Sequence, residues 1–154
     1  MPKLLTVIIP CYNEEENIRY FYEEFCKNDA YFLKHAIMYQ LLFVDDGSTD
    51  GTVTEIKNLH QKDKRIRLIS FSRNFGKEAA IYAGLQHASG NLVAIMDVDL
   101  QDPPSLLPQM IDEIFAGADQ VVARRTARKG EPRIRSWFAK VFYKILNCFS
   151  QTKV

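Results

Sequence analysis

Asp97 and Asp99 with Gln101 place three oxygen-bearing side chains within five residues, and Asp102, which reads as part of the turn, follows directly. Carboxylate and amide oxygens are hard ligands, suited to Mg²⁺ or Mn²⁺ carrying a substrate phosphate. The group follows directly on Leu92 to Met96 (LVAIM), a continuous apolar run that reads as a strand buried on both faces. Acids in that place stand at the carboxyl end of a strand, where open α/β sheets bind ligands. Asp-x-Asp alone is a common pattern, and acids also follow strands because turns and helix starts favour them. Pro103 and Pro104 stiffen the exit, and Ser105 is the expected cap of the next helix.

A second acidic strand end lies upstream. Leu41 to Val44 reads as a buried strand and runs into Asp45-Asp46-Gly47-Ser48-Thr49-Asp50-Gly51-Thr52. A turn accounts for Gly47, Asp50 and Gly51. It does not account for two adjacent acids, which repel each other unless something uses them. A third loop, Pro10-Cys11-Tyr12-Asn13-Glu14, follows Leu4 to Ile9. Here Tyr12 can stack on a base and Glu14 can accept from a ribose or base; the plainer alternatives are partial core for Tyr12 and a helix-dipole acid for Glu14. Arg73 and Lys77 read either as surface charges or as substrate contacts.

The elements that must hold these loops alternate between strand and helix patterns. Asn13 precedes three acids suited to the first turn of a helix whose stripe is Ile18, Phe21, Tyr22 and Phe25. Residues 28–39 allow a short helix. A helix runs from the acidic loop to about His60, and Ile66 to Phe71 is a third strand. Phe75 to Ala88 is a helix with a small-residue face of Gly76, Ala79, Ala80, Ala83 and Gly84. Leu106 to Phe115 is a helix stopped at Gly117, and Gln120 to Ala123 a fifth strand. Repeated units of this length imply an α/β fold, a mostly parallel sheet with helices on both faces.

Composition excludes several classes. The 154 residues suit one domain with a sizeable core, with 47% hydrophobic and 25% charged residues. Cys11, Cys26 and Cys148 form no metal-binding spacing and read as reduced, incidental thiols of a cytosolic setting. The first residues lack the long apolar segment of a signal peptide, and no apolar run approaches the roughly 18 residues of a membrane span. No GxGxxG follows the first strand and no GxxxxGK[ST] occurs, so a Rossmann fingerprint and a P-loop are both excluded. Charge is divided along the chain. Residues 1–123 hold 11 Lys and Arg against 18 Asp and Glu, a net of −7, whereas residues 124–154 hold nine against one, a net of +8. In that basic stretch Ile134, Trp137, Phe138, Val141, Phe142, Ile145, Leu146 and Phe149 recur at three- and four-residue steps. A basic amphipathic helix on a membrane surface fits that pattern better than nucleic acid.

PCYNEEENI, VDDGSTDGT, SRNFGKEAAIYAGL and MDVDLQDPP, in this order, resemble the inverting family 2 glycosyltransferases. Within that family the resemblance is to polyprenyl-phosphate sugar transferases, the dolichol-phosphate mannose synthases and bactoprenol (undecaprenyl-phosphate) glucosyltransferases, and it covers residues 4 to about 150. It implies a GT-A fold over residues 1–125, followed by a basic loop and amphipathic interfacial helix over 126–154. It implies Mg²⁺ or Mn²⁺, a nucleotide-sugar donor and a polyprenyl phosphate acceptor at the cytoplasmic face of a membrane. Carried over by position, Pro10, Tyr12 and Glu14 match the first nucleotide loop, and Val44 and Asp46 the base- and ribose-binding strand end. Asp97, Val98, Asp99 and Gln101 match the metal and diphosphate motif, with Asp97, Asp99 and Gln101 as the ligand set. Val98 replaces the family's usual Ala. Arg125 and Arg128 match basic residues beside the phosphates; Arg125 joins Asp97 and Asp99 as the catalytic set.

The residue types agree with that chemistry. A nucleoside diphosphate leaves as an anion, so a divalent ion and a nearby Arg stabilise charge that grows in the transition state. A phosphate acceptor is already ionised and needs little help from a base, which suits in-line attack with inversion. The resemblance favours UDP-glucose, through Arg128-Lys129-Gly130-Glu131 and the aromatic stretch after it, with GDP-mannose the alternative. Two other classes stay open: a nucleotidyltransferase, which would want a Gly-rich basic loop after the first strand, and a non-catalytic membrane-bound module. Family members continue beyond this length, so the expectation for a chain ending at SQTKV is donor binding with poor turnover, exposed apolar surface and a tendency to form homo-oligomers.

Overall fold

A computed structural model describes residues 3–124. They belong, but for the last two, to the unit Met1–Val122, one of two into which the chain divides. Its centre is a four-stranded, wholly parallel sheet in the order β3-β2-β1-β4. The strands are β1 (Lys3–Cys11), β2 (Ile37–Asp45), β3 (Ile66–Ser70) and β4 (Leu92–Ile95). The helices are α1 (Glu15–Cys26), α2 (Asp29–Lys34), α3 (Thr52–Lys62), α4 (Lys77–His87) and α5 (Leu107–Phe115). The expected α/β class is thus present, with the crossovers that parallel strands require.

Strand alternation divides the core in two. Leu5, Val7 and Ile9 of β1 turn to one face, where Phe21 and Phe25 of α1, Phe32 of α2, Ile56 of α3 and Ile111 of α5 are buried. Phe25 anchors that face, its ring 5.6 Å from Phe32 and 5.1 Å from Tyr39. Burying one such side chain contributes about 1.5–3 kcal/mol. Ile8 turns to the other face with Leu42, Val44 and Ala80 of α4. The small-residue face of α4 explains its close approach: a Cβ on Gly84 would run into the side chain of Ile8.

Several expectations are corrected. The run Leu92 to Met96 is not buried on both faces: β4 pairs with β1 alone among the described residues, and Val93 and Ile95 are each 48% exposed. Unbroken hydrophobicity reports that a strand is apolar, not that both faces are covered. Residues 120–123 form no strand. Ser105 caps nothing, because a 3₁₀ turn, Pro104–Leu106, precedes α5. β2 begins at Ile37 rather than Leu41, since Ile37 to Gln40 pair with Lys3 to Thr6. Gly117 does end α5, with φ +114° and its N–H on the carbonyl of Ile114. The amphipathic pattern between Ile134 and Phe149 lies outside the described residues, and within them no helix is long and apolar enough to cross a membrane.

Candidate functional site

The carboxyl ends of β1, β2 and β4 open on one cleft of about 370 Å³. Pro10, Tyr12 and Glu14 line it from the first loop, Asp46 from the second, and Asp97, Val98 and Asp99 from the fourth. Asn74 and Gly76 from the segment between β3 and α4, and Lys77 from the start of α4, add a wall. Seven of the residues carried over from the family resemblance are thereby brought together, with Lys77 beside them. Val44 is not among them: it is fully buried beneath the sheet end with Ile8 and Ala80. Gln101 does not line the cleft either, and its backbone N–H donates to Asp99 Oδ1 at 3.0 Å. Arg125 and Arg128 lie outside the described residues.

The two acids of the second loop have separate uses. Asp45 accepts the N–H of Ser48 through Oδ1 at 3.0 Å and the hydroxyl of Ser70 through Oδ2 at 2.7 Å. Asp46, only 4% exposed, accepts the N–H of Phe75 at 2.7 Å and of Gly76 at 2.9 Å, one on each oxygen. A carboxylate has about four acceptor positions, so Asp46 can still meet a ribose or base. Gly47, at φ +75°, closes the same contact, since a Cβ there would strike the backbone of Arg73. The pair pins the chain after β3 to the end of β2.

The rest of that loop supports the first one. Asn13 takes a left-handed φ of +54°, its N–H donating to Ser48 Oγ at 2.9 Å and its Oδ1 accepting the N–H of Thr49 at 2.9 Å. Glu14 N–H donates to Thr52 Oγ1 at 2.8 Å, while Glu14 Oε2 accepts from Asn17 at 2.6 Å. Glu14 is therefore the entry residue of α1 and also reaches the cleft. Tyr12 is 45% exposed, with its ring available to a planar ligand. Burial raises the Asp50 carboxyl, but the hydroxyl and N–H of Thr52 and the N–H of Glu15 outweigh it and hold the pKa below the usual carboxylate range.

Charge in the cleft is mostly negative. Burial, then Asp45, Glu14, Asp50 and Asp46, push the Cys11 thiol far up, so it stays protonated and is no nucleophile. Lys77 is the one cation among the lining residues described, and its Nζ stands 2.6 Å from Asp97 Oδ1 and 2.7 Å from Oδ2. No three His, Cys, Asp or Glu side chains among the described residues form a ready-made metal cage. Asp97 and Asp99 in one cleft nevertheless fit Mg²⁺ or Mn²⁺, which are commonly held by one or two carboxylates and completed by substrate phosphates. Asn74 was missed in the sequence. The signal available was its position, in a polar, Gly-containing stretch just past the carboxyl end of β3.

A parallel α/β sheet with a cleft at the carboxyl ends of β1, β2 and β4 is the arrangement of GT-A domains. Residues 6–154 match the model of "Glycosyl transferase family 2", and the chain belongs to that family. It is 40% identical over 153 residues to a "Bactoprenol glucosyl transferase" of Shigella phage SfV, covering 97% of this chain and 48% of the relative. It is 44% identical over 144 residues to "Putative glycosyltransferase CsbB" of Bacillus subtilis, covering 94% and 43%. Among solved structures it resembles the mannosyltransferase PcManGT of Pyrobaculum calidifontis in complex with GDP-Man and Mn²⁺. That match has a TM-score of 0.63 at 26% identity and covers 78% of this chain and 35% of that one. The chain thus spans less than half the length of the curated relatives it matches.

Proposed function

We propose that the cleft binds a nucleoside-diphosphate sugar, and that the protein passes the sugar with inversion to a polyprenyl phosphate. The observation that carries this reading is the meeting of Tyr12, Glu14, Asp46, Asp97 and Asp99, from three strand ends, in one cleft of a family 2 domain. Tyr12 and Glu14 take the base and ribose, assisted by Asp46. Asp97 and Asp99 hold Mg²⁺ or Mn²⁺, which when bound supplies positive charge against the departing diphosphate. Arg125 and Arg128 are assigned to the same phosphates.

What the chain itself contributes is orientation. The hydrogen bonds that Asn13 and Glu14 donate to the hydroxyls of Ser48 and Thr52 fix the first loop, and Asp46 fixes the segment that carries Asn74 and Lys77. A donor held on three sides meets an already ionised acceptor without needing a base, and placement of the two reactants supplies much of the rate. UDP-glucose is the favoured donor, supported by the relatives named bactoprenol glucosyl transferase; GDP-mannose has the support of the Pyrobaculum neighbour. Residues 126–154 supply contact with anionic lipid at the cytoplasmic face, as their basic amphipathic pattern suggests.

Titration calorimetry with UDP-glucose and GDP-mannose, each with and without Mn²⁺, tests the reading. Saturable binding of one donor that needs the ion is expected. Absence of binding by both, with the ion present, overturns it.

A further inference from the structure

The lining of the cleft poses a problem of charge. Four carboxylates, Glu14, Asp46, Asp97 and Asp99, face it with Lys77 as the one described cation, yet the ligand proposed above is itself an anion. A single divalent ion between Asp97 and Asp99 leaves the diphosphate in a field that the described lining residues by themselves keep unfavourable. The cation at hand is already engaged, since both Asp97 oxygens lie within 2.7 Å of Lys77 Nζ.

That ion pair is poorly explained as a stabilising device. Lys77 is the first residue of α4, at the end of a helix where the dipole disfavours a cation. Its side chain is 53% exposed and that of Asp97 36%, and pairs so exposed contribute little. The root of the side chain, by contrast, is firmly held. Gly76, directly before it, gives its N–H to Asp46, Phe75 does the same, and Gly47 lies against the backbone of Arg73. A fixed root with a flexible four-carbon stem and a compact ammonium suits a group that moves between two anions.

We propose that Lys77 is an exchanged cation of the donor site. Its ammonium neutralises Asp97 until a divalent ion takes that carboxylate, and then turns to the diphosphate of the donor that arrives with the ion. The loop latch at Asp46 keeps it in reach of both. No bond is made or broken and no proton moves. This inference rests on the donor-binding reading above.

Exchange has a signature that a structural role lacks, because removing the lysine must move two affinities in opposite directions. Mn²⁺ binding without nucleotide is measured by the electron paramagnetic resonance of the free ion, and UDP and GDP binding at saturating Mn²⁺ by calorimetry. Lys77→Met is expected to bind Mn²⁺ alone about threefold tighter, as a competing exposed ion pair is lost, and the preferred nucleotide about tenfold weaker, as a charged phosphate contact is lost. Lys77→Gln repeats the test with a polar side chain, and Lys77→Arg, which keeps the charge, stays near wild type for Mn²⁺. Melting curves establish that each variant is folded. If wild type binds nucleotide with Mn²⁺ but the neutral variants match it, or lose both affinities together, the exchange is wrong and the donor site stands. If wild type binds neither nucleotide, the donor reading fails and the exchange with it.

Discussion

Asp46 and Gly76, thirty residues apart, are joined by a 2.9 Å hydrogen bond from the backbone N–H of Gly76 to a carboxylate that is 4% exposed. The same side chain takes the N–H of Phe75 on its other oxygen. An acid expected to read base and ribose is therefore also the fastening of the segment that forms the cleft's far wall.

Replacing Asp46 with Asn tests that fastening. An amide has one acceptor oxygen where the carboxylate had two, so one part-buried N–H is left unpaired. A loss of about 1–3 kcal/mol in urea unfolding is expected, and donor affinity falls with it as Asn74 and Lys77 lose their placement. Wild-type stability in Asp46→Asn would show that the 75–76 segment is held by something else.

Asp99 and Asp102 separate metal ligand from turn. Asp99→Ala is expected to abolish Mn²⁺-dependent donor binding, a loss of roughly ten- to a hundredfold for a group contacting charge. Asp102→Ala, outside the cleft lining, keeps donor binding within about threefold of wild type. Calorimetry with Mn²⁺ decides, and equal binding by wild type and Asp99→Ala removes the metal assignment.

The acid limb of stability should depend on Asp63. Its carboxylate accepts from Arg65 Nε at 3.0 Å, from Arg65 Nη2 at 2.7 Å and from the Tyr22 hydroxyl at 3.0 Å. Arg65 is the chief cause holding its pKa below the usual carboxylate value, against the opposing effect of burial. Because the folded value is the lower one, the contribution is fully present above the unfolded pKa of about 3.9 and is lost as pH falls through the folded value. Unfolding by urea between pH 6 and pH 3 should show a shallower fall for Asp63→Asn than for wild type. Parallel curves would mean that the pair contributes no linkage.

Gly84→Ala has a diagnostic sign. On an exposed helix the change stabilises by about 1 kcal/mol. Here the new methyl meets the side chain of Ile8, fully buried in the central strand, and overpacking costs about 1–3 kcal/mol. Net destabilisation in urea is expected, and a gain would show that α4 can lift from the sheet at no cost.

Much of the site was legible because its signals are local. Strand runs that stop at Pro10, Asp45 and Asp97 carry their loops to one end of a parallel sheet whatever the packing details, since every strand points the same way. Residue types and spacing led to acidic strand ends on one side of such a sheet, and the family resemblance singled out Tyr12, Glu14, Asp46, Asp97 and Asp99 among the residues there. The motifs also carried the family, which the match over residues 6–154 bears out.

Other features depend on contacts between residues far apart in the chain. That Asp46 holds Phe75 and Gly76, that Lys77 sits on Asp97 twenty residues away, and that Asn74 reaches the cleft are consequences of β2 and β4 flanking β1. The exposure of Val93 and Ile95 has the same origin. A run of apolar residues encodes the preference of a strand for burial, which is a property of each residue with its neighbours in sequence. Whether a second layer arrives to satisfy that preference is settled by strand order and by which helices cross which face, and so by the tertiary fold alone.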